Sequence, residues 1–199
     1  WPKLVQHVES MQPANRMLQP AELKSDRKLM WSPGRGTDVW ALMQACASGD
    51  LEAVRALIAR DPSLARSQYD YRKPLYFAVR ENRIDVVRFL LEHDCNPLDL
   101  WMDDDPIEIA RDRGYTEMEQ LLTHTLDTKF NASPQGEPVA LALREHDLKQ
   151  VRALLDAQPA LVGKGDKRSS QPIHWATMTR QLDAIDELLR RGADINARR

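Results

Sequence analysis

Residues 73–97 read KPLYFAVRENRIDVVRFLLEHDCNP, and residues 171–196 read QPIHWATMTRQLDAIDELLRRGADIN. The two stretches share a proline followed by an apolar residue, an alanine four positions after the proline, and then aliphatic residues at helical spacing. Working outward from them, Ala45, Ala78, Ala110, Ala142 and Ala176 are separated by steps of 33, 32, 32 and 34 residues. A period of this size marks a repeat architecture, in which each unit is one supersecondary element.

The surroundings of the five alanines recur. An apolar or Pro-apolar pair lies just upstream of each: Ala41-Leu42, Pro74-Leu75, Pro106-Ile107, Pro138-Val139 and Pro172-Ile173. Proline fits the first turn of a helix, where its missing N–H would have no intrahelical partner, so these pairs mark five helix starts. The short helices should stop about four residues past each alanine, at Gly49, Asn82, Gly114, His146 and Arg180, with the glycines chemically clearest. A second helix follows in each unit, with one apolar face: Leu51, Val54, Leu57 and Ile58; Ile84, Val87, Leu90 and Leu91; Leu148, Val151, Leu154 and Leu155; Leu182, Ile185, Leu188 and Leu189. That stripe is expected to be core. Such a pair of helices cannot bury its apolar faces alone and must stack on its neighbours.

On these residues the chain resembles the ankyrin-repeat family. The resemblance implies an all-α fold, an ankyrin-repeat α-solenoid of about five helix-turn-helix repeats with short or irregular hairpin fingers, covering about residues 37–199. The expected units run approximately over 37–68, 69–100, 101–132, 133–166 and 167–199. Residues 1–36 fall outside the period and are read as a helical capping or linker segment. Within it Leu4, Val5, Val8 and Met11 line one helical face, Pro20 opens a second helix, and SPGRGT forms a turn-rich linker. A chain without an initiator Met that ends at GADINARR, inside what should be another finger, is expected to continue beyond 199 in the full-length protein.

The chain departs from the family's Thr-Pro-Leu-His opening. Trp40, Lys73, Asp105, Glu137 and Gln171 replace the Thr, and only His174 keeps the His. The turn glycine before it gives way to Asp38, Tyr71, Asp103, Gln135 and Ser169. In the third unit Thr116, Glu119 and Thr123 occupy apolar positions of the second helix, so local stability is expected to dip there. A longer period is also visible: VRALIARDPSL at 54–64 returns as VRALLDAQPAL at 151–161, 97 residues on, which duplication of a multi-repeat block would explain.

Composition narrows the function classes. With 28 Lys plus Arg against 30 Asp plus Glu, a net charge of −2 offers no broad footprint for nucleic acid. No apolar run reaches the roughly 18 residues that span a bilayer. Cys46 and Cys95 lie far apart and form no metal-ligand pattern, as does the His93-Asp94-Cys95 triplet, and the Asp103–Asp105 run reads as a solvated loop. The five histidines are scattered, no catalytic constellation is apparent, and no cofactor or metal is expected. The compartment stays open, leaning to the cytoplasm.

What the resemblance implies instead is a non-catalytic scaffold, a monomer that binds a protein partner on the concave finger and first-helix surface. By register the partner-contacting positions are Tyr69, Asp70, Arg72, Arg80 and Glu81 in the second unit and Trp101, Met102, Asp104, Asp112 and Arg113 in the third. The fourth contributes Arg144 and Glu145, and the fifth Lys167, Arg168, Met178 and Thr179. Aromatic and arginine side chains suit interface anchors, with Tyr69, Arg72 and Trp101 foremost. Against that stands packing, in which Tyr69 and Trp101 fill the space between fingers. The alternative function is a regulatory or targeting repeat segment of a larger enzyme whose catalytic domain is not in this chain. Small-molecule binding in the groove would require an enclosed pocket.

Overall fold

The computed structural model describes residues 18–69, 71–93, 95–98 and 105–198. These form ten α-helices and no strand, in five consecutive pairs. The first helices are α1 (Gly36–Ser48), α3 (Pro74–Arg80), α5 (Pro106–Asp112), α7 (Glu137–Arg144) and α9 (Pro172–Met178). The second helices are α2 (Leu51–Arg60), α4 (Ile84–Glu92), α6 (Thr116–Lys129), α8 (Leu148–Ala157) and α10 (Leu182–Arg190). The chain divides into two units, residues 1–119 and 120–199. Within the first, α1 packs on α3 and α3 on α5, while α2 packs on α4; within the second, α7 packs on α9.

The five anchoring alanines are all buried. Each first helix ends where the period places its stop, and each stop residue adopts a left-handed backbone: Gly49 (φ 85°), Asn82 (54°), Gly114 (71°), His146 (59°) and Arg180 (57°). A left-handed residue turns the chain sharply enough for the second helix to run back against the first, and its neighbours close onto the helix end. Arg83, Tyr115, Asp147 and Gln181 N–H groups all reach the carbonyl of the anchoring alanine, at 2.8–2.9 Å. The geometry is required even where the side chain disfavours it, as at His146 and Arg180, at a cost on the order of 1–2 kcal/mol each. The residue before α4, and likewise before α10, ties its unit to the preceding one: Arg83 Nε donates to the Ala47 carbonyl at 2.9 Å, and Gln181 Nε2 to the Leu143 carbonyl at 2.6 Å.

Two expectations need correction, at the start of the first helix and at Leu182. The first helix does not begin near Ala41-Leu42 but at Gly36, because no proline fixes its start and the preceding segment covers its N-terminal turn. That segment is a 3-10 helix, Ala21–Lys24, whose Leu23 is fully buried. A Cβ at Gly36 would sit 2.6 Å from the Glu22 carbonyl oxygen, so only glycine permits the approach. The third repeat carries the longest second helix, 14 residues. Its buried row is Met118, Leu122 and Leu126, beginning one position before Glu119, which leaves Glu119 free to pair with Arg111 at 2.9 Å. Leu182, expected in the core, is 75% exposed at the first position of α10; no described residue covers it.

The three-repeat echo is structural as well. Asp50 and Asp147 cap α2 and α8 by accepting from the N–H groups of Ala53 (3.0 Å) and Gln150 (2.8 Å). Both helices are followed by a 3-10 turn, Pro62–Arg66 or Pro159–Gly163, which buries Leu64 or Leu161. In the second unit Leu161 joins a core of Val139, Leu143, Val151, Leu155, Ile173, Ala176 and Leu188.

Candidate partner-binding faces

The fingers are loops among the described residues, and two of them are held by different devices. In the first unit Tyr69 and Arg72 form an isolated antiparallel bridge, Tyr69 N–H to Arg72 carbonyl at 2.8 Å and the reverse at 2.9 Å. Tyr71, in the place of the missing glycine, keeps that residue's left-handed φ, at 60°. Tyr69 is half-buried. It meets Trp40 edge-on with ring centroids 5.7 Å apart and stacks on Phe77 at 6.3 Å. The packing role weighed for Tyr69 is therefore real.

Next to it, α3 carries an aromatic surface covered by guanidinium groups. Arg72 lies over Tyr76 at 4.8 Å, and Arg80 over both Tyr76 and Phe77 at 5.8 Å. Arg80 Nε is also 2.8 Å from Glu81 Oε1, and Arg113 donates to the Arg80 carbonyl at 3.3 Å. A guanidinium over a ring is attracted to its face, by about 0.5–2 kcal/mol, while its N–H edges point outward for further bonds. The sequence positions Tyr69, Arg72, Arg80, Glu81 and Arg113 thus come together in one cluster. Asp112, the last residue of α5, is exposed beside it in sequence but makes no bond within the cluster. Asp70, Trp101, Met102 and Asp104 lie outside the described residues.

In the second unit the ring is Trp175, with Arg144 over it at 4.9 Å and paired to Glu137 at 2.9 Å. The finger is held by Asp166, which is 2% exposed and accepts from Trp175 Nε1 (2.8 Å), Arg168 N–H (2.8 Å) and Ser170 N–H (2.9 Å). Ser169 takes the left-handed turn, φ 63°. Lys167 and Arg168 stand exposed at its tip, Met178 is 51% exposed, and Thr179 donates to the Trp175 carbonyl at 2.7 Å. Glu145 is exposed one residue past α7. His174 Nδ1 accepts from the Gln171 N–H at 3.0 Å, leaving Nε2 to donate to the Ala197 carbonyl at 3.0 Å, so this unit retains a local His network.

Sequence register missed Tyr76, Trp175 and Asp166. Tyr76 occupies the position of the family's His, and Trp175 follows that position directly; an aromatic there was the available signal. Nothing in the sequence marked Asp166 as buried rather than solvated.

Among the described residues no three His, Cys, Asp or Glu side chains gather as a metal site, and no described helix is long and apolar enough to cross a membrane. Cys46 and Cys95 are buried and form no disulfide; burial, with the neighbouring Cys95, pushes the Cys46 thiol far above its ordinary range, so it remains a neutral thiol.

Comparison with known families agrees with this architecture. A model of three ankyrin-repeat copies matches residues 27–100, and a single ankyrin repeat matches residues 171–199. The chain belongs to the ankyrin-repeat family. Human transient receptor potential cation channel subfamily A member 1 is 31% identical over 165 residues, 79% of this chain and 14% of that protein. The mitochondrial liver isoform of glutaminase from Rattus norvegicus is 31% identical over 120 residues, 59% of this chain and 20% of that protein. Palmitoyltransferase AKR1 of Debaryomyces hansenii is 26% identical over 171 residues, 78% of this chain and 21% of that protein. The ankyrin chain therefore spans about a fifth or less of these relatives. Ankyrin repeats generally mediate protein–protein interaction, which is the coarse function the family carries.

Proposed function

We propose that this ankyrin-repeat chain is a non-catalytic, monomeric binding module that engages a partner protein through its first helices and fingers. The observation that carries this reading is the half-buried Tyr76 ring under the guanidinium groups of Arg72 and Arg80. Large rings held rigid by their own packing, with multidentate arginine edges above them, supply the anchor chemistry of protein interfaces. The same combination recurs at Arg144 and Trp175. From the sequence, Trp101, Met102, Asp70 and Asp104 remain proposed contacts of the same kind.

The test is affinity capture from the cells that make the protein. Immobilised wild-type chain captures a partner, and the Tyr76→Ala/Arg80→Ala variant loses at least about tenfold of it, the scale of a single hot spot. Arg88→Ala, an exposed position on α4, leaves capture unchanged. Equal capture by a double variant that melts like wild type contradicts the proposal.

A second reading is favoured by the relatives named as enzymes, of which the matching region is about a fifth: the chain serves as a regulatory or targeting segment of a larger enzyme. A catalytic domain in the same gene product would decide for it.

A further inference from the structure

The second unit presents a face whose two halves call for different chemistry. Leu141 and Arg144 lie three residues apart on α7, and Trp175 and Met178 three apart on α9, so each pair shares a helix face. The Arg144 guanidinium over Trp175 joins the pairs. Leu141 is 46% exposed and Met178 51%, which makes this an open apolar surface around a half-buried tryptophan. Beside it the finger bears Lys167 and Arg168. Their neighbour Asp166 cannot neutralise them through a side-chain pair, because its oxygens are committed to Trp175 Nε1 and to the Arg168 and Ser170 N–H groups. Among the described residues neither cation has a carboxylate partner, whereas Lys164 is paired with Asp127, Arg144 with Glu137, and Arg152 and Arg191 with Glu187. Glu137 is thus occupied, and Glu145, the other carboxylate on these elements, lies past the opposite end of α7.

We propose that this face binds an acidic segment of a partner protein that also carries aliphatic side chains, its carboxylates over Lys167 and Arg168 and its aliphatic groups on Leu141, Trp175 and Met178. The inference rests on the reading of the chain as a protein-binding module and adds the chemistry of what is bound. The buried Asp166 is the positioning residue: its bond to Trp175 holds the cationic tip at a fixed offset from the apolar surface, so charge and shape are read together.

Fluorescein-labelled synthetic peptides composed of Glu and Leu, or of Lys and Leu, serve as probes in anisotropy titrations with the full chain. The Glu/Leu peptide binds wild type, more weakly as salt rises. Lys167→Glu/Arg168→Glu lowers that affinity by about tenfold or more and gains binding of the Lys/Leu peptide. Met178→Ser lowers it with the salt dependence unchanged. All three positions are exposed, and melting curves verify folding. The inference is overturned if the Glu/Leu peptide does not bind wild type, if the reversed variant binds it equally well, or if a single-stranded oligonucleotide binds as tightly. Should these occur while Tyr76 and Arg80 still govern partner capture, the protein-binding reading stands and only the acidic segment is lost.

Discussion

The first two repeats and the last two follow one sequence period in register, yet equivalent positions are held by different forces in each. Gln68 and Asp166 are equivalent, as are Phe77 and Trp175. In the first unit the finger is fixed by ring packing, Tyr69 lying against Trp40 and Phe77. In the second, a buried carboxylate bonds to the indole N–H. The second helices repeat the contrast. Arg55 lies over the Phe89 ring at 5.3 Å, whereas its equivalent Arg152 is 3.1 Å from Glu187, which stands in the place of Phe89. A repeat thus fixes where a contact must be made and leaves open which interaction makes it. Apolar and cation–π contacts are insensitive to pH in the acid range; carboxylate contacts are not.

The largest expected effect lies at Asp166. Asp166→Ala leaves three donors without their acceptor and costs the second unit about 3 kcal/mol in urea unfolding, whereas Gln68→Ala removes one exposed bond, to the Trp31 carbonyl, and costs about 1 kcal/mol or less. Equal losses would erase the distinction between the two fingers.

Glu187 sharpens it through pH. Arg191 foremost, with Arg152, holds its carboxyl below the usual carboxylate range. A lowered folded pKa contributes stability that is fully present above the unfolded value, about 4.3, and is lost as pH falls through the folded one. Protection of the α10 amides, taken relative to free-peptide exchange at the same pH, should therefore fall below about pH 4.3 in wild type, and Glu187→Gln should flatten that dependence. The Arg55–Phe89 contact in α4 contributes no such change. The smallest effect is Arg55→Ala, about 0.5 kcal/mol for an exposed cation–π contact and independent of pH between 3 and 7.

Much of the fold was legible because it depends on local rules. The period located all five left-handed stops, including Asn82, His146 and Arg180, since each helix pair must reverse direction at that point. The early start of α1 was not legible: it depends on the carbonyls of Glu22 and Ser25 approaching Gly36, a contact between segments that no periodicity encodes. The row shift in α6 was not legible from the period, because Met118, Leu122 and Leu126 form a buried row one position out of register with the other repeats. At the candidate faces, register placed Arg72 in a finger and Arg80 and Arg144 at the ends of first helices, but did not reveal the rings beneath them. Trp40 is far from Tyr69 in sequence, and the burial of Asp166 follows from a tryptophan nine residues away.

Hydrogen exchange of the full chain with and without its captured partner tests the binding face most directly. The account predicts new protection in residues 69–80 and 164–178, with α4, α8 and α10 exchanging as before. Protection confined to those second helices, with the finger and first-helix segments unchanged, would contradict it.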